Sequence, residues 1–535
     1  MTTDQIHEHW FLTPEERGNP ATKIDAWKTG GAAYTLGNLV RPLVHGQTYF
    51  RRLYDAICDL EPGDWVHFTD WRGDPDERLA GPGTEIVTVL SDLARKKVHV
   101  RGLVWRSHPD ATRFNEESNL HLAQSVNEAG GEILLDERVK WGGSHHQKLF
   151  LLRRPTDPGR DVAFVGGIDL CHSRNDGADH HGDPQAYDLD DAYGDRPPWH
   201  DVQMEVRGPA VTDLALTFRE RWEDPTPLDH RNPWRRLMQK RAHEPDEPAP
   251  LPPLPEHPGE AGPHAVQVLR TYPAKKPPYP FAPEGERSIA RAYRKAYARA
   301  RKLIYVEDQY FWSEEIANLL AETLRSAPDL HLIVVLPRHF EQGGMSALPP
   351  RHGQKSAMDI VTAAGGDRVG FFDIETESGT PIYVHAKVCV IDDVWAEVGS
   401  DNINLRSWTH DSELSCTVLD TTHDSREPRD PAGLGDMARA FARDLRLELW
   451  KEHLGTDSDE GLVDPVAGFR RWRVAADALD SWHASGGRGP RPPGRIRHHD
   501  PGHNSAVAER WAVPVYKYLL DPDGRPKALR GSGRF

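Results

Sequence analysis

The chain has 535 residues, more than one hydrophobic core usually serves, so two domains or a duplicated pair of domains are expected. Its 66 Lys and Arg against 82 Asp and Glu give a net charge of −16, a field that opposes binding to nucleic acid and argues against a nuclease. The four cysteines lie far apart without a CxxC pair, which argues against a cysteine zinc site and a disulfide framework.

The sequence gives no sign of membrane insertion. Its N-terminus has no basic segment followed by an apolar core, and no later run approaches the length needed to span a bilayer. We therefore expect a cytoplasmic protein, at most peripherally associated with membranes.

Helical and strand patterns alternate in the first half. Apolar residues at helical spacing predict three helices, over 47–60, 84–97 and 116–129. Short apolar runs predict three strands, over 65–71, 98–105 and 132–135. Such alternation is typical of an α/β layer architecture.

A polar pair follows these elements. His146 and Lys148 are two residues apart and precede the apolar run LFLL, so on an extended chain their side chains share one face. An imidazole beside an ammonium group suits an anionic phosphoryl group. After a turn-rich segment the chain continues as VAFVGGIDLC, and later as PWHDV around Asp201.

Composition divides the chain. Residues 242–265 are Pro-rich and acidic without hydrophobic periodicity, which predicts a semi-extended linker. The predicted units are an N-terminal extension, a first domain, this linker, a second domain and a C-terminal extension, over 1–45, 46–241, 242–265, 266–470 and 471–535.

The second half repeats the order of the first. Strands are predicted over 266–269, 303–307, 332–336 and 369–372. Helices are predicted between them, beginning with 286–302, and a long amphipathic helix is predicted over 437–454.

The stretch with the most candidate functional residues lies over 383–413 and reads YVHAKVCVIDDVWAEVGSDNINLRSWTHDSE. Two strand-like runs flank the turn at Asp392, which predicts a hairpin. His385 and Lys387 share one face before it, and Ser400 and Asn402 return on the next strand. The spacing is H-x-K, four residues, D, six residues, G-S-x-N.

This spacing resembles the motif of the phospholipase D superfamily. The first-half segments GGIDL and PWHDV and the segment YVEDQYF over 305–311 resemble further signatures of that family, and the resemblance extends over 46–455. It implies two similar α/β domains, each a mixed sheet flanked by helices, related by pseudo-twofold symmetry. One active site would lie at their interface, with one HxK pair from each domain.

The first half departs from the family pattern. Its hairpin is six residues longer than that of the second half, so Arg153 stands where the motif has Asp, and Asp169 stands where Asn402 does. Asp157 and Asp161 are both candidates to brace the longer turn, and the sequence does not decide between them.

The resemblance also implies roles for individual residues. Asp201 and Glu413 stand where the family has a carboxylate that holds a catalytic imidazole, which fixes its tautomer. The catalytic set would be His146, Lys148, His385, Lys387, Asp392 and Asn402, supported by Asp169, Asp201, Ser400 and Glu413.

In this scheme His146 attacks phosphorus and His385 acts as acid and then base. Lys148, Lys387 and Asn402 neutralise the non-bridging oxygens, helped by Ser400 or Asp169. No cofactor and no metal are expected, because the lysines supply the positive charge. The adjacent histidines at 145–146 and 180–181 would point in opposite directions on a strand, which disfavours a shared metal.

The function expected from the resemblance is hydrolysis of the distal phosphodiester of a phospholipid through a phosphohistidine intermediate, giving phosphatidate and a head group. A phosphatidyltransferase with an alcohol acceptor is the alternative. A nuclease and a non-catalytic lipid-binding scaffold, the latter suggested by Arg153 and Asp169, are less favoured. The expected partner is phospholipid at a membrane surface and not nucleic acid, and a monomer is expected because one chain holds both HxK pairs.

Overall fold

The computed structural model describes residues 3–107, 116–228 and 247–535. The strands of the first half are β1 (Thr35–Val44), β2 (Trp65–Asp70), β3 (His99–Trp105), β4 (Glu132–Asp136), β5 (Leu149–Arg153), β6 (Val162–Gly166), β7 (Trp199–His200) and β8 (Val202–Arg207). Those of the second half are β9 (His264–Tyr272), β10 (Glu286–Arg287), β11 (Leu303–Glu307), β12 (His331–Val335), β13 (Val369–Ile374), β14 (Tyr383–Val384), β15 (Val388–Ile391), β16 (Trp395–Gly399), β17 (Glu413–Asp420) and β18 (Ile496–His498).

The helices alternate with these strands. The first half has α1 (Thr3–Trp10), α2 (Pro14–Arg17), α3 (Gly46–Cys58), α4 (Ile86–Arg95), α5 (Glu116–Glu128) and α6 (Ala210–Trp222). The second half has α7 (Ser288–Arg299), α8 (Glu314–Ser326), α9 (Leu348–Gly365), α10 (Leu405–Thr409), α11 (Ala440–Leu454), α12 (Pro465–Ala484) and α13 (Ala506–Val515). Among the described residues, no helix combines the length and the apolar character needed to cross a membrane.

One mixed sheet runs through both halves. Its first-half strands lie in the order β4-β3-β2-β5-β6-β8-β1, and its second-half strands in the order β13-β12-β11-β15-β16-β17-β9. The two orders correspond strand by strand, and β1 pairs with β9 in the middle through Thr35–Val266 and Asn38–His264. The expected α/β fold, two similar units with a mixed sheet flanked by helices, is confirmed.

Helices cover both faces of this sheet because its strands are apolar on both sides. Along β5, Leu149 and Leu151 face the core that contains α6 and α11, whereas Phe150 and Leu152 face the core that contains α3 and α4. Side chains alternate between the faces of a strand, so a continuous apolar run predicts a strand buried on both sides. The architecture is therefore three layers, helix over sheet over helix.

The strand ends differ from the predicted ones where pairing extends them. The strand predicted over 266–269 runs from His264 to Tyr272, since it lies in the middle of the sheet and pairs with β1, β10 and β17. Hydrogen bonds on both edges hold more residues in the extended form than the apolar run alone indicates.

Two strands of the sheet lie in segments that the sequence predicts as terminal extensions. Strand β1 lies within the predicted N-terminal extension, and β18, within the predicted C-terminal extension, pairs with β13 through Phe372 and His498. The limit between 241 and 242, like residues 1 and 2, lies outside the described residues. From 247 to 263 the chain has neither helix nor strand and then enters β9.

Arg153, at the position of the motif Asp, is a buried ion-pair partner. Its Nε lies 2.6 Å from Oδ2 of Asp161, and both side chains are almost fully buried. Asp161 also accepts a hydrogen bond from the backbone N–H of Arg154 at 2.5 Å, and Arg153 donates to the backbone oxygen of Glu256. Asp161, one of the two candidates, therefore braces the longer hairpin together with Arg153.

Arg153→Ala should lower stability more than activity. Removing one partner leaves the Asp161 charge buried without its counterion, which typically costs about 3 to 5 kcal/mol. Denaturant unfolding of wild type and variant measures the loss. The double change Arg153→Met with Asp161→Leu should recover most of it, because the uncompensated charge is gone; a variant of wild-type stability that had lost its activity would contradict this structural role.

Candidate active site

A two-stranded parallel sheet joins the halves beside the second HxK segment. It pairs β14 with β7, with Tyr383 opposite Trp199 and Val384 opposite His200. The next residue of each strand is therefore His385 on one side and Asp201 on the other. His385 Nδ1 lies 2.6 Å from Asp201 Oδ2, and the His385 backbone N–H donates to the oxygen of His200 at 2.8 Å.

The same arrangement recurs at the first HxK segment with the halves exchanged. His145 forms a parallel bridge with Ser412, and the backbone N–H of His146 donates to the oxygen of Ser412 at 2.9 Å. His146 Nδ1 consequently lies 2.9 Å from Glu413 Oε2. Each imidazole is thus held by the carboxylate of the other half.

This pairing fixes the chemistry of both rings. A carboxylate oxygen accepts a hydrogen bond, so each Nδ1 carries the proton and each Nε2 is left for a reacting group. Both histidines line one cavity of about 2420 Å³. Burial, then the charges of Lys387 and Arg174, hold the pKa of His385 well below its usual value, so its neutral form predominates in the free protein.

The two lysines are buried, and each donates to the backbone of the histidine two residues before it. Lys148 Nζ donates to the backbone oxygen of His146 at 3.0 Å and lies 3.2 Å from Asp169 Oδ1. Lys387 Nζ donates to the backbone oxygen of His385 and lies 3.4 Å from Gln309 Oε1. Burial lowers the pKa of Lys387 to about 8.

Asp169 takes part in a buried charge cluster. Beside the lysine contact, its Oδ2 lies 3.4 Å from Arg174, whose guanidinium stacks 4.0 Å from the Trp199 ring centre. Burial alone would raise the pKa of Asp169, but Lys148 and Arg174 outweigh it and hold that pKa below its ordinary value. The carboxylate is therefore ionised and neutralises part of this cationic pocket.

Asn402 and Ser400 have different surroundings. Asn402 lines the cavity, and its buried Oδ1 has no hydrogen-bond partner within the described part of the chain. Ser400 is fully buried and donates to Glu413 Oε2 at 2.5 Å while accepting from the backbone N–H of Leu414. Ser400 therefore orients the carboxylate that holds His146 and does not line the cavity.

Asp392, predicted to belong to the catalytic set, does not line the cavity either. Its carboxylate accepts the backbone N–H groups of Arg301, Lys302 and Leu303 at 2.7, 2.8 and 2.8 Å. It adopts a left-handed backbone conformation with φ of 53° at the turn between β15 and β16. Asp392 is a positioning residue, since it attaches the hairpin to the start of β11.

Two glycines in the motifs are required by close approach. A Cβ on Gly167 would lie 2.3 Å from Asp201 Oδ1, and one on Gly399 would lie 1.8 Å from Ser415 Oγ. A side chain at position 167 would displace the Asp201 carboxylate itself, and one at position 399 would push against β17, the strand that begins at Glu413.

Two residues of the site were not identified from the sequence. Arg174 lies in a loop without a motif signal, and its place over Trp199 depends on the fold of that loop. Gln309 belongs to the YVEDQYF segment, whose resemblance to a family signature assigns no role to Gln309. Asp308 caps this segment, accepting from the N–H groups of Tyr310, Phe311 and Ile403, while Gln309 lines the cavity.

Comparison with known proteins identifies the family. The sequence model described as Phospholipase D matches residues 77–249 and 371–484, more than half of the chain. The chain is 24% identical to phospholipase D alpha 1 of Cynara cardunculus, over 76% of this chain and 64% of that protein. It is 26% identical to phospholipase D alpha 1 of Ricinus communis, over 79% and 66%. The chain thus spans about two thirds of the length of these relatives.

A solved structure shares the fold. The phosphatidylserine synthase of Haemophilus influenzae Rd KW20 superposes with a TM-score of 0.50, covering 71% of this chain and 82% of that one at 12% identity. At this identity the likeness concerns the fold alone.

The exchange of carboxylates between halves predicts a specific spectroscopic result. The Nδ1–H signal of His385 should be strongly deshielded, and the ring should stay uncharged at about pH 6.5, where an ordinary histidine is half protonated. Asp201→Asn should abolish the deshielded signal of His385 and leave that of His146, and Glu413→Gln should do the reverse. Nitrogen-15 NMR of histidine-labelled protein measures this; a change at the histidine of the same half would contradict the exchange.

Proposed function

Because the chain belongs to the phospholipase D family, we propose that it hydrolyses the distal phosphodiester of phospholipids, releasing phosphatidate and a free head group. The observation that supports this most is the exchanged pairing, which presents two Nε2 atoms to one cavity. A two-step displacement at phosphorus needs a nucleophile and a proton donor on opposite sides, and these two imidazoles supply them.

In the proposed first step, His146 Nε2 attacks phosphorus while His385 protonates the oxygen of the leaving head group. A phosphohistidine forms at His146. In the second step His385 removes a proton from water, which attacks the phosphohistidine and releases phosphatidate. Two displacements retain configuration at phosphorus.

Substrate binding would prepare His385 for the acid role. Apart from burial, positive charges at Lys387, Arg174 and Lys148 depress its pKa. A phosphodiester anion placed against the lysines offsets these charges, so His385 takes up a proton when substrate binds. After the head group leaves, His385 is again neutral and can act as the base.

Lys148, Lys387 and Asn402 would bind the non-bridging oxygens, and Ser400 and Glu413 would act through His146. Asp169 places a carboxylate where the second half has the amide of Asn402, and a carboxylate repels phosphate. We propose that it holds Lys148 and Arg174 in place, which keeps the first-half cations directed at the phosphate.

A phosphatidyltransferase is the second candidate, since an alcohol can replace water in the second step at the same residues. A nuclease is disfavoured by the net charge of −16. A non-catalytic scaffold is disfavoured by the retention of both His–Lys pairs. We further propose a monomer, because the exchanged pairs complete one site within one chain.

Phosphatidylcholine turnover with and without ethanol tests the proposal. Choline and phosphatidate in water establish the lipase, and phosphatidylethanol in ethanol reveals an intermediate that an alcohol can intercept. Head-group exchange with little hydrolysis supports the transferase, and no turnover of any phospholipid overturns both. His146→Ala and His385→Ala should each lose at least about 10²-fold in rate, the lower end of acid–base contributions.

His385→Ala should accumulate the phosphohistidine when the leaving group is activated. A p-nitrophenyl ester needs no acid in the first step, but the second step still lacks its base. Mass spectrometry of acid-labile adducts should find the phosphatidyl group on His146. An adduct on His385 in the reciprocal His146→Ala variant would reverse the roles, and inversion at a chiral phosphorothioate would exclude the covalent route.

The rim of the cavity supports a membrane substrate. Trp141, Tyr518 and Leu519 line it and are 78%, 76% and 54% exposed. The backbone oxygen of Leu519 accepts a hydrogen bond from Arg406 at 2.6 Å, which fixes this segment beside the entrance. Lys517 lies at the same rim. Aromatic and aliphatic side chains beside a cation suit the interface of a bilayer.

Trp141→Ser combined with Leu519→Ser should weaken vesicle binding at least about tenfold, since each inserted side chain contributes about 1.5 to 3 kcal/mol. Turnover of a short-chain phospholipid below its micelle concentration should stay near the wild-type rate. Val474→Ser is the matched control, because Val474 is 67% exposed but does not line the cavity. Sedimentation with phosphatidylcholine vesicles gives the binding, and equal binding by double variant and control would contradict the membrane contact.

A further inference from the structure

Behind the active site lies a buried cluster that the proposed reaction does not use. Its donor atoms come from His45, His180, His200 and Glu452, and all lie within 4.8 Å of one another. The three histidines are 4%, 2% and 0% exposed, while the Glu452 side chain is 15% exposed. None of the four lines the active-site cavity.

The two carboxylate oxygens of Glu452 lie close to all three rings of the cluster. Glu452 Oε2 lies 2.8 Å from His45 Nε2, and Glu452 Oε1 lies 3.0 Å from His180 Nε2 and 3.7 Å from His200 Nδ1. An ion with bonds of about 2 Å sets its donors about 3.3 Å apart, within this range.

Outer hydrogen bonds orient the rings of His200 and His180. His200 Nε2 lies 2.7 Å from Glu307 Oε2, and His180 Nδ1 lies 3.1 Å from the backbone oxygen of Trp199. Both partners only accept, so the protons of the neutral rings lie on these outer nitrogens. His200 Nδ1 is buried and has no hydrogen-bond partner in the described ranges. Metal-bound histidines usually donate their second N–H to a carboxylate or carbonyl in this way.

Charge and backbone conformation agree with a bound cation. Glu452 would supply one negative charge to a divalent ion, and Glu307 would supply a second one from the other side of the His200 ring. His453 also donates to Glu307 at 2.8 Å and keeps it oriented. His45 and His180 both have positive φ, 69° and 52°, a conformation that non-glycine residues hold only when the surroundings enforce it.

We propose that His45, His180, His200 and Glu452 form a structural site for one divalent transition metal of the zinc type. Three imidazoles and one carboxylate favour Zn²⁺ over Mg²⁺ or Ca²⁺, and four protein donors leave no open position for catalysis. The metal fixes His200, whose backbone oxygen binds His385 and whose neighbour in the chain is Asp201.

Zinc loading of the full chain tests the site. Protein treated with chelator, incubated with Zn²⁺ and desalted should retain one zinc per chain by elemental analysis and unfold at a higher temperature than the apoprotein. His180→Ala and Glu452→Gln should lose the retained zinc, with affinity at least about tenfold lower. His181→Ala is the matched control, since His181 adjoins His180 but its side chain is 78% exposed, and it should retain the metal.

Two further measurements separate this site from others. Co²⁺ in place of zinc should give the intense visible absorption of a tetrahedral centre in wild type and in His146→Ala, because His146 lies in the catalytic cavity. Circular dichroism shows whether each variant is folded. If His180→Ala does not fold, Glu452→Gln alone tests the loss of zinc. Zinc that washes off wild type, or is lost in His146→Ala but kept in Glu452→Gln, would overturn the proposal. The cluster would then be a hydrogen-bonded network without metal.

Discussion

Two short parallel contacts between the halves determine the geometry of the site. In each, the backbone of an HxK segment pairs with the segment that bears the carboxylate of the other half, at Val384–His200 and at His145–Ser412. Backbone pairing fixes the register of the two segments. The imidazole and the carboxylate that follow the paired residues are therefore placed next to each other. Neither half alone can orient its histidine, so the two carboxylate-held imidazoles exist only where the halves are joined.

The halves are alike in topology but not in charge. The second half places the amide of Asn402 at the cavity, and the first half places Asp169 at the corresponding position. A second cation, Arg174, accompanies that carboxylate, so the first-half pocket gains a positive and a negative charge together. A buried carboxylate without this partner would take up a proton and leave Lys148 unpaired. The departure at Asp169 is therefore compensated within the same half.

The sequence was sufficient for what depends on local pattern. Short apolar runs and helical spacing predicted the alternating strands and helices at the centre of each half, and the family resemblance implied that His146 and His385 belong to one site. The exchange of Asp201 and Glu413 between halves could not be predicted, because it depends on pairing between segments about 180 and 270 residues apart along the chain, which periodicity does not encode. The sequence also does not determine which carboxylate pairs with Arg153. The longer turn contains two candidates, and only the packing of the folded chain selects Asp161.

The two contacts between the halves are braced in different ways. Beside Ser412, Asp411 accepts two hydrogen bonds from Ser144 and pairs with Arg406 at 3.1 Å, so an ordinary salt-bridged network supports that contact. Beside His200, the bracing groups are imidazoles and carboxylates, and the buried Nδ1 of His200 has no hydrogen-bond partner among the described residues. A permanent cation such as Arg406 neutralises its carboxylate at any pH near neutrality, whereas imidazoles do so only when they hold a proton or share a metal. With the proposed metal in place, an ion would brace the contact that orients His385, whereas a salt bridge braces the contact that orients His146.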